Sequence, residues 1–435
     1  MRVSIATIMA VAASGYGGSL AGQDPGVEVR RLAETPAVRR AFDAIESLEE
    51  GTVRDHVALT EIAAPPFMEE ERARAYLSLI ADAGADTAFI DAEGNVVAVR
   101  HGRGGPRGSA GERTRTVAIS AHLDTVFPAG IDVQVTQRGD TLFAPGIGDD
   151  TRGLAAMLTV LRALEAGGVE TQADVRFIAT VGEEGLGDLR GMKHLFRDGA
   201  PPIDAWIDLD GTGLGRIVNK GLGSHRYRVT FTGAGGHSWG AFGAANPAHA
   251  LGRAIRYFQD AADTLTRSGP RTSYNVGRLG GGTSVNSIPF EAWMEVDMRS
   301  VSPTSLERID TAFQAAMRRA LAEENGLRRN GPEIEVDIDM IGDRPSGEVP
   351  DDAPLVRRAL ATLALMGTDP RLTRSSTDSN IPISLGIPAV TIGSGGVGGG
   401  AHSPGEWWIN RDGHVAIQAA LLLVVAEAGM AETVP

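Results

Sequence analysis

The chain has 435 residues, enough for two or three domains and for a large buried core. Its hydrophobic fraction of 42% and charged fraction of 22% are ordinary for globular proteins, which excludes a mainly disordered chain. A formal net charge of −14, without a long run of lysines and arginines, argues against nucleic-acid binding. Because the sequence has no cysteine, disulfides, thiolate metal sites and cysteine nucleophiles are excluded.

Residues 1–22 have the pattern of a secretory signal peptide. Arg2 precedes an apolar run over residues 3–13, and small residues near Ala21 are typical of a cleavage site. The run is shorter than the roughly 18 residues that a membrane-spanning helix needs, so no membrane anchor is predicted. We therefore expect a periplasmic or secreted protein, the alternative being a leader without this function.

The chain that follows alternates between predicted helices and strands. Helical spacing covers residues 54–60 and 69–85, and residues 87–99 have the pattern of a strand, a turn and a second strand. Short apolar strands are predicted at 116–120, 175–181 and 205–209, and an amphipathic helix is predicted over Leu154 to Leu164. Alternation of this kind indicates an α/β fold with a mixed, mostly parallel sheet and helices on both faces. We assign this domain residues 30–220 and 341–435.

The pattern changes near Gly221. The following residues predict a strand, a helix, two strands, a helix and a strand, at 226–232, 247–264, 272–279, 292–299, 303–325 and 333–340. This is the β-α-β-β-α-β order of a ferredoxin-like α+β domain. A helix at 354–366 and a strand at 389–393 then resume the first pattern. Residues 221–340 are therefore predicted to form a domain inserted into the first one.

Polar residues that can bind metal follow the predicted strands of the first domain. They are His122, Asp124, Asp149, Asp150, Glu183, Glu184, Asp210 and His402. In parallel sheets the carboxyl ends of the strands lie at one edge, so these side chains are expected to converge there. Crowded carboxylates need a cation, and imidazole with carboxylate ligands favours Zn, Co or Mn.

The spacing of these residues indicates that they have different chemical roles. His122 and Asp124 lie on one side of an extended segment, so Asp124 is expected to orient the imidazole. Consecutive residues at a strand end point in opposite directions. One of Glu183 and Glu184 can therefore bind metal while the other acts as a general base on water.

These residues lie in five motifs, in the order His122-x-Asp124-Thr-Val, Gly-x-Gly-Asp149-Asp150-x-x-Gly, Gly-Glu183-Glu184-Gly, Asp210-Gly and Ala-His402-Ser-Pro. The order of the five motifs, over roughly residues 50–425, resembles the M20 family of metallopeptidases and deacylases. The resemblance implies two zinc ions bridged by Asp149, with a cis peptide bond to Asp150, and Glu183 as the base. It implies His122 and Asp210 on one metal, and Glu184 and His402 on the other. Thr151 and Arg152 depart from the common family pattern, so Asp149 or Asp150 as the bridge, and Asp208 or Asp210 as the ligand, remain alternatives.

The inserted domain, residues 221–340, contains the motifs Gly233-Ala-Gly-Gly-His237-Ser238-Trp239 and Asn246-Pro247-Ala248. With these motifs it resembles the lid and dimerisation domain of the same family. The resemblance implies that His237 reaches toward the substrate, in some members across a dimer interface. It also implies that Asn286 and Arg299 bind substrate or support the lid, and that Asn380 lines the substrate pocket. An ordinary salt bridge for Arg299 and a structural turn around Asn380 are the alternatives.

Two other functions are compatible with parts of the sequence. Gly236-His-Ser238-Trp-Gly240 has the G-x-S-x-G form of a serine-hydrolase nucleophile elbow, but that elbow needs a helix immediately after the serine. A non-catalytic binding protein is the other alternative. The sequence favours a hydrolase of amide bonds with two metal ions, an exopeptidase acting on di- or tripeptides. An N-acyl-amino-acid deacylase or a carboxypeptidase of the same family is the main alternative.

Overall fold

A computed structural model describes residues 24–103 and 113–431, so the predicted signal peptide lies outside the described residues. The helices in these two ranges are α1 (Pro25–Ala33), α2 (Pro36–Ser47), α3 (Glu49–Thr60), α4 (Glu70–Ala81), α5 (Thr151–Gly167), α6 (Arg190–Leu195), α7 (Pro247–Thr266), α8 (Pro303–Leu327), α9 (Pro354–Leu365), α10 (Asn380–Ser384) and α11 (Gly413–Ala428). None of these described helices is both long and apolar enough to cross a membrane.

The strands are β1 (Thr87–Ile90), β2 (Val96–Arg100), β3 (Thr116–His122), β4 (Thr136–Arg138), β5 (Thr141–Phe143), β6 (Asp174–Thr180), β7 (Ala205–Leu209), β8 (Arg216–Gly221), β9 (Gly223–Thr232), β10 (Gly236–His237), β11 (Thr272–Gly281), β12 (Ser287–Ile288), β13 (Glu291–Ser300), β14 (Glu335–Arg344), β15 (Gly347–Glu348), β16 (Arg371–Ser375), β17 (Ala389–Ile392), β18 (Val397–Gly399) and β19 (Trp407–Ile409).

Nine of the strands form a mixed sheet with a parallel centre. Its order is β1-β2-β6-β3-β7-β17-β8-β15, and β16 pairs with β8. The four strands β6, β3, β7 and β17 run parallel to one another, as their alternation with helices predicted. β3 is buried along its whole length because it is central in the sheet and both α5 and α11 pack against it. The carboxyl ends of β6, β3 and β7 therefore lie side by side.

A second sheet is antiparallel and has the order β11-β13-β9-β14. α7 and α8 pack against each other and against this sheet. β13 alternates between half-buried and buried residues because the helices cover one of its faces. The second sheet has a core of its own around Phe231, Phe258 and Phe313. Its elements follow the predicted β-α-β-β-α-β order.

Several elements differ from the sequence expectations. The helix predicted over 69–85 ends at Ala81, shortly before Gly84, whose φ of 104° does not fit a helix. Five helices, α1, α2, α6, α10 and α11, were not predicted. α11 is apolar and buried on nearly all sides, so it has no helical periodicity to detect. The small sheet β18-β19-β5-β4 was also missed, because its three-residue strands are too short to show alternation.

Candidate metal centre

The candidate ligands meet at the carboxyl edge of the central sheet. His122 is the last residue of β3, and Asp149 precedes α5. The Nε2 atom of His122 lies 2.9 Å from Oδ1 of Asp149, and Nε2 of His402 lies 3.1 Å from Oδ2 of the same carboxylate. His402 is also 3.0 Å from Oε1 of Glu184. His122, Asp149 and Glu184 each offer one ligand atom, and these three atoms lie within 4.8 Å of one another.

The charges of this cluster fit a cation. Burial alone would raise the pKa of Asp149, but hydrogen bonds with His122 and His402 hold it below its ordinary range. Hydrogen bonds with Asp149 and Glu184 raise the pKa of His402 to about 10. Burial lowers the pKa of His122, but the hydrogen bond with Asp149 and the neighbouring carboxylates raise it well above its ordinary value. Both imidazoles therefore favour the protonated form that balances the carboxylates, and a divalent ion would supply the same positive charge. Two imidazoles and two carboxylates are also ligands that Zn, Co and Mn accept.

The contacts distinguish Asp149 from Asp150, the two alternatives for the bridging carboxylate. Asp150 is fully buried, and its carboxylate accepts hydrogen bonds from the backbone N–H groups of His122 and Gly153, both at 3.2 Å. It caps α5, whereas Asp149 contacts the imidazoles of His122 and His402. The peptide bond between Asp149 and Asp150 is cis, as the family resemblance implied.

Asp208 and Asp210 differ in a similar way. The carboxylate of Asp208 accepts hydrogen bonds from the hydroxyls of Ser120, at 2.5 Å, and Thr391, at 3.2 Å. Both oxygens are thus engaged within the sheet. Burial and the neighbouring charge of Asp149 raise the pKa of Asp210 to about 7. Asp210 lies outside the compact group of three ligand atoms.

Asp124 acts differently from the sequence expectation. The Nδ1 atom of His122 lies 3.0 Å from the backbone carbonyl oxygen of Asp124 and 3.7 Å from its carboxylate. The imidazole is therefore oriented by the main chain of Asp124. The carboxylate instead accepts hydrogen bonds from the backbone N–H groups of Glu183, at 3.0 Å, and Glu184, at 2.8 Å. Asp124 thus holds the turn that carries both glutamates.

The two glutamates point to different partners. Glu184 contacts His402, whereas Oε1 of Glu183 accepts a hydrogen bond of 2.9 Å from Nη1 of Arg344. Arg344 also donates to the backbone carbonyl of Glu183. Burial raises the pKa of Glu183 well above its ordinary value, although Arg344 opposes the shift. Arg344 is not among the predicted site residues, because an arginine at the end of β14 gives no local signal for a contact with a residue 161 positions away.

The predicted lid residues contact the second sheet and its loops. His237, on β10, is exposed, and its Nδ1 accepts a hydrogen bond of 3.2 Å from the backbone N–H of Trp239. Nε2 of a neutral imidazole is then a free donor. Asn286 is exposed, and its backbone carbonyl accepts a hydrogen bond from Ser238. Arg299 forms the ordinary salt bridge, 2.8 Å from Asp297 on its own strand.

Ser238 does not lie on a nucleophile elbow. It follows the two-residue strand β10, and the next helix, α7, begins only at Pro247. A nucleophile elbow requires a strand, a sharp turn and a helix in direct succession. The structure therefore contradicts the local geometry that the serine-hydrolase alternative needs.

Asn380 is a buried residue that binds the main chain, which differs from the predicted position in the wall of the substrate pocket. It is 1% exposed, and its side-chain Nδ2 donates to the backbone carbonyls of Leu222, at 2.9 Å, and Pro345, at 3.0 Å. Its Oδ1 accepts a hydrogen bond from the backbone N–H of Thr377. Leu222 precedes β9 and Pro345 follows β14, so Asn380 joins the two chain segments that connect the sheets.

Asn380→Ala is expected to destabilise the protein. The change leaves one buried and two part-buried backbone groups without this partner, and we expect the free energy of unfolding to fall by about 3 kcal/mol. Urea unfolding measures the loss. Asn410 is a matched control, because it is exposed and its side chain donates to Glu49. Equal losses in Asn380→Ala and Asn410→Ala would show that Asn380 does not stabilise the connection.

Comparisons with known proteins place this site in a family. The profile of peptidase family M20/M25/M40 matches residues 118–426, which is most of the chain. Carboxypeptidase G2 of Pseudomonas sp. (strain RS-16) is 26% identical over 323 residues, covering 72% of this chain and 69% of that protein. The uncharacterized protein YqjE of Bacillus subtilis (strain 168) is 28% identical over 293 residues, covering 65% and 74%.

Solved structures share the fold. The aminopeptidase PepT from Bacillus cereus ATCC 10987 superposes with a TM-score of 0.67 at 20% identity, covering 87% of this chain and 99% of that one. Together with the profile match over residues 118–426, these findings show that the chain belongs to peptidase family M20/M25/M40.

Proposed function

We propose that the chain is an exopeptidase that hydrolyses di- and tripeptides with two divalent metal ions. Family membership makes it a metal-dependent hydrolase of amide bonds. The observation that carries the proposal is the arrangement of Asp149 between two imidazoles, with the buried Glu183 in the same turn as the ligand Glu184. The similarity to PepT, an aminopeptidase, supports peptides as substrates.

The ligand roles follow from the contacts. Each oxygen of Asp149 faces a different histidine, which suits a carboxylate that bridges two ions. His122 and Asp210 would hold one ion, and Glu184 and His402 the other. Zinc is the proposed metal, with cobalt or manganese as alternatives. When bound, the ions would polarise the substrate carbonyl and lower the pKa of water.

Glu183 is the proposed general base. Its raised pKa makes the carboxylate a stronger proton acceptor than an exposed glutamate, while Asp124 and Arg344 fix its position through the backbone. Glu183 takes the proton from the attacking water as the new C–O bond forms. It then gives this proton to the leaving amine as the C–N bond breaks. The free Nε2–H of His237 would stabilise the oxyanion when the lid closes.

His237→Ala is expected to lower kcat about 10²–10³-fold, the usual cost of removing one oxyanion donor. The metal content should stay at the wild-type value, because His237 contacts the loops of the lid and none of the candidate ligands. Steady-state kinetics and metal analysis measure the two effects. His249→Ala, an exposed histidine on α7, is the control and should retain wild-type kcat. Wild-type turnover in His237→Ala would leave this histidine without a catalytic role.

The substrate class is tested with a matched set of compounds. The purified protein is assayed with Zn, Co or Mn against free di- and tripeptides, the same peptides acetylated at the amino end, and N-acetyl amino acids. We expect the free peptides to be cleaved fastest. Preferred release of acetate would favour the deacylase, and preferred removal of the last residue would favour the carboxypeptidase that similarity to carboxypeptidase G2 suggests. The Glu183→Gln protein controls for contaminating peptidases.

A homodimer through the lid is part of this proposal. Trp239, Phe242 and Val285 of the lid are 87%, 69% and 104% exposed, and clustered exposed apolar side chains are typical of interaction surfaces. Export to the periplasm or medium is the remaining part, supported by the apolar run over residues 3–13. Light scattering tests the first, and amino-terminal sequencing of the exported chain tests the second.

A further inference from the structure

Glu406 joins the two loops that carry the candidate ligands Asp149 and His402. It is 1% exposed and lies four residues after His402. Its Oε2 accepts a hydrogen bond of 2.8 Å from the backbone N–H of Gly146. Its Oε1 accepts two more, from the backbone N–H groups of Gly148, at 2.7 Å, and Asp149, at 3.0 Å. One side chain thus binds three backbone donors of the neighbouring loop.

Only a carboxylate satisfies this arrangement. Both oxygens of Glu406 act as acceptors, and the three partners are all donors. A glutamine has one acceptor oxygen and an NH₂ group, which would face a backbone N–H and could not accept from it. The loop also leaves little room to rearrange, since a Cβ at Gly148 would lie 2.9 Å from Thr212 and 3.1 Å from Glu406. The charge and both oxygens of Glu406 are therefore needed.

We propose that Glu406 is a positioning residue that fixes Asp149 relative to His402 and so sets the affinity of the metal centre. The Asp149 carboxylate reaches His402 at 3.1 Å, and Glu406 connects the backbone on both sides of that contact. Residues that support metal ligands in this way typically contribute about 10- to 100-fold to metal affinity. The inference rests on the proposed function, because it takes Asp149 and His402 as ligands.

The test is metal affinity in Glu406→Gln. Apo protein is titrated with Zn²⁺ by calorimetry, and the Co²⁺-loaded protein is examined by visible absorption, which reports ligand geometry. We expect Zn²⁺ to bind about 10- to 100-fold more weakly and the Co²⁺ spectrum to change. Glu406→Asp keeps the charge but is one methylene shorter, so its carboxylate does not reach all three backbone N–H groups. It should therefore also bind Zn²⁺ more weakly than the wild type, and it replaces the glutamine variant if that protein does not fold.

Asp91→Asn is the matched control. Asp91 also accepts hydrogen bonds from three backbone N–H groups of one loop, at residues 93–95, but this loop carries no candidate ligand. The Asp91→Asn protein should be less stable than the wild type but keep the wild-type Zn²⁺ affinity and Co²⁺ spectrum. Wild-type affinity and spectrum in a folded Glu406 variant would overturn the inference alone. A wild-type protein that binds no Zn²⁺ would overturn the proposed function and the inference with it.

Discussion

Glu183→Gln is expected to lower kcat about 10²–10⁴-fold, which is the usual contribution of a general base. Glutamine keeps the volume of the side chain and an oxygen that can accept the hydrogen bond from Arg344, but it takes up no proton at neutral pH. Because Glu183 faces Arg344 and Glu184 faces His402, the variant should bind as much metal as the wild type. Stopped-assay kinetics and elemental analysis of the same preparation measure both quantities.

Glu184→Gln is the matched comparison, since the two glutamates are adjacent and both are buried. This variant should lose metal, because an amide is a weaker ligand than a carboxylate, and excess metal should restore part of the activity. Metal loss in Glu183→Gln with retention in Glu184→Gln would reverse the two roles. Full activity in both variants would remove the carboxylates from the reaction.

His122→Ala and His402→Ala are expected to lower the metal affinity. Because each removes a ligand, the loss should exceed the roughly 10- to 100-fold that removal of a supporting residue costs. The two histidines differ in access, with side chains 3% and 56% exposed. Free imidazole can therefore reach the space left by His402, whereas the space left by His122 is closed inside the site. We expect imidazole to restore metal binding and activity in His402→Ala and to leave His122→Ala inactive.

Equilibrium dialysis against buffered Zn²⁺, with and without imidazole, checks this expectation. His414→Ala is the control, because His414 contacts Glu49 and lies away from the cluster. If both variants keep the wild-type metal content, the ligand assignment is wrong. Rescue of His122→Ala by imidazole would instead contradict the buried position of that side chain.

Local patterns in the sequence were sufficient to predict the elements that carry the candidate ligands. β3 is a short apolar run that ends in His122, β6 and β7 are short apolar runs that acidic residues follow within three positions, and α5 has clear helical spacing. Parallel strands then bring these ends to one edge, so His122 and Glu184 could be placed together without a structure. The β-α-β-β-α-β order of the second sheet could also be predicted, because its strands and helices have clear local periodicity.

Contacts between distant residues could not be predicted in this way. Arg344 reaches Glu183 over 161 positions, and Glu406 reaches Gly146 over 260. Neither residue differs locally from an ordinary surface charge, and each is defined by what the fold places beside it. The burial of Asn380 is a similar case, since a polar turn sequence is equally typical of an exposed pocket wall.

The two hydrogen bonds that Nδ2 of Asn380 donates also bear on the position of the inserted segment. A single nitrogen binds the carbonyl of Leu222, where the chain leaves the central sheet, and that of Pro345, where it returns. Entry and exit of the inserted segment are therefore neighbours, and β15 pairs with β8 immediately beyond them. A short turn is enough to close the chain at this point. The inserted segment thus begins and ends at one place in the fold, where segments of different length can join the sheet without changing the order of the strands that carry the candidate ligands.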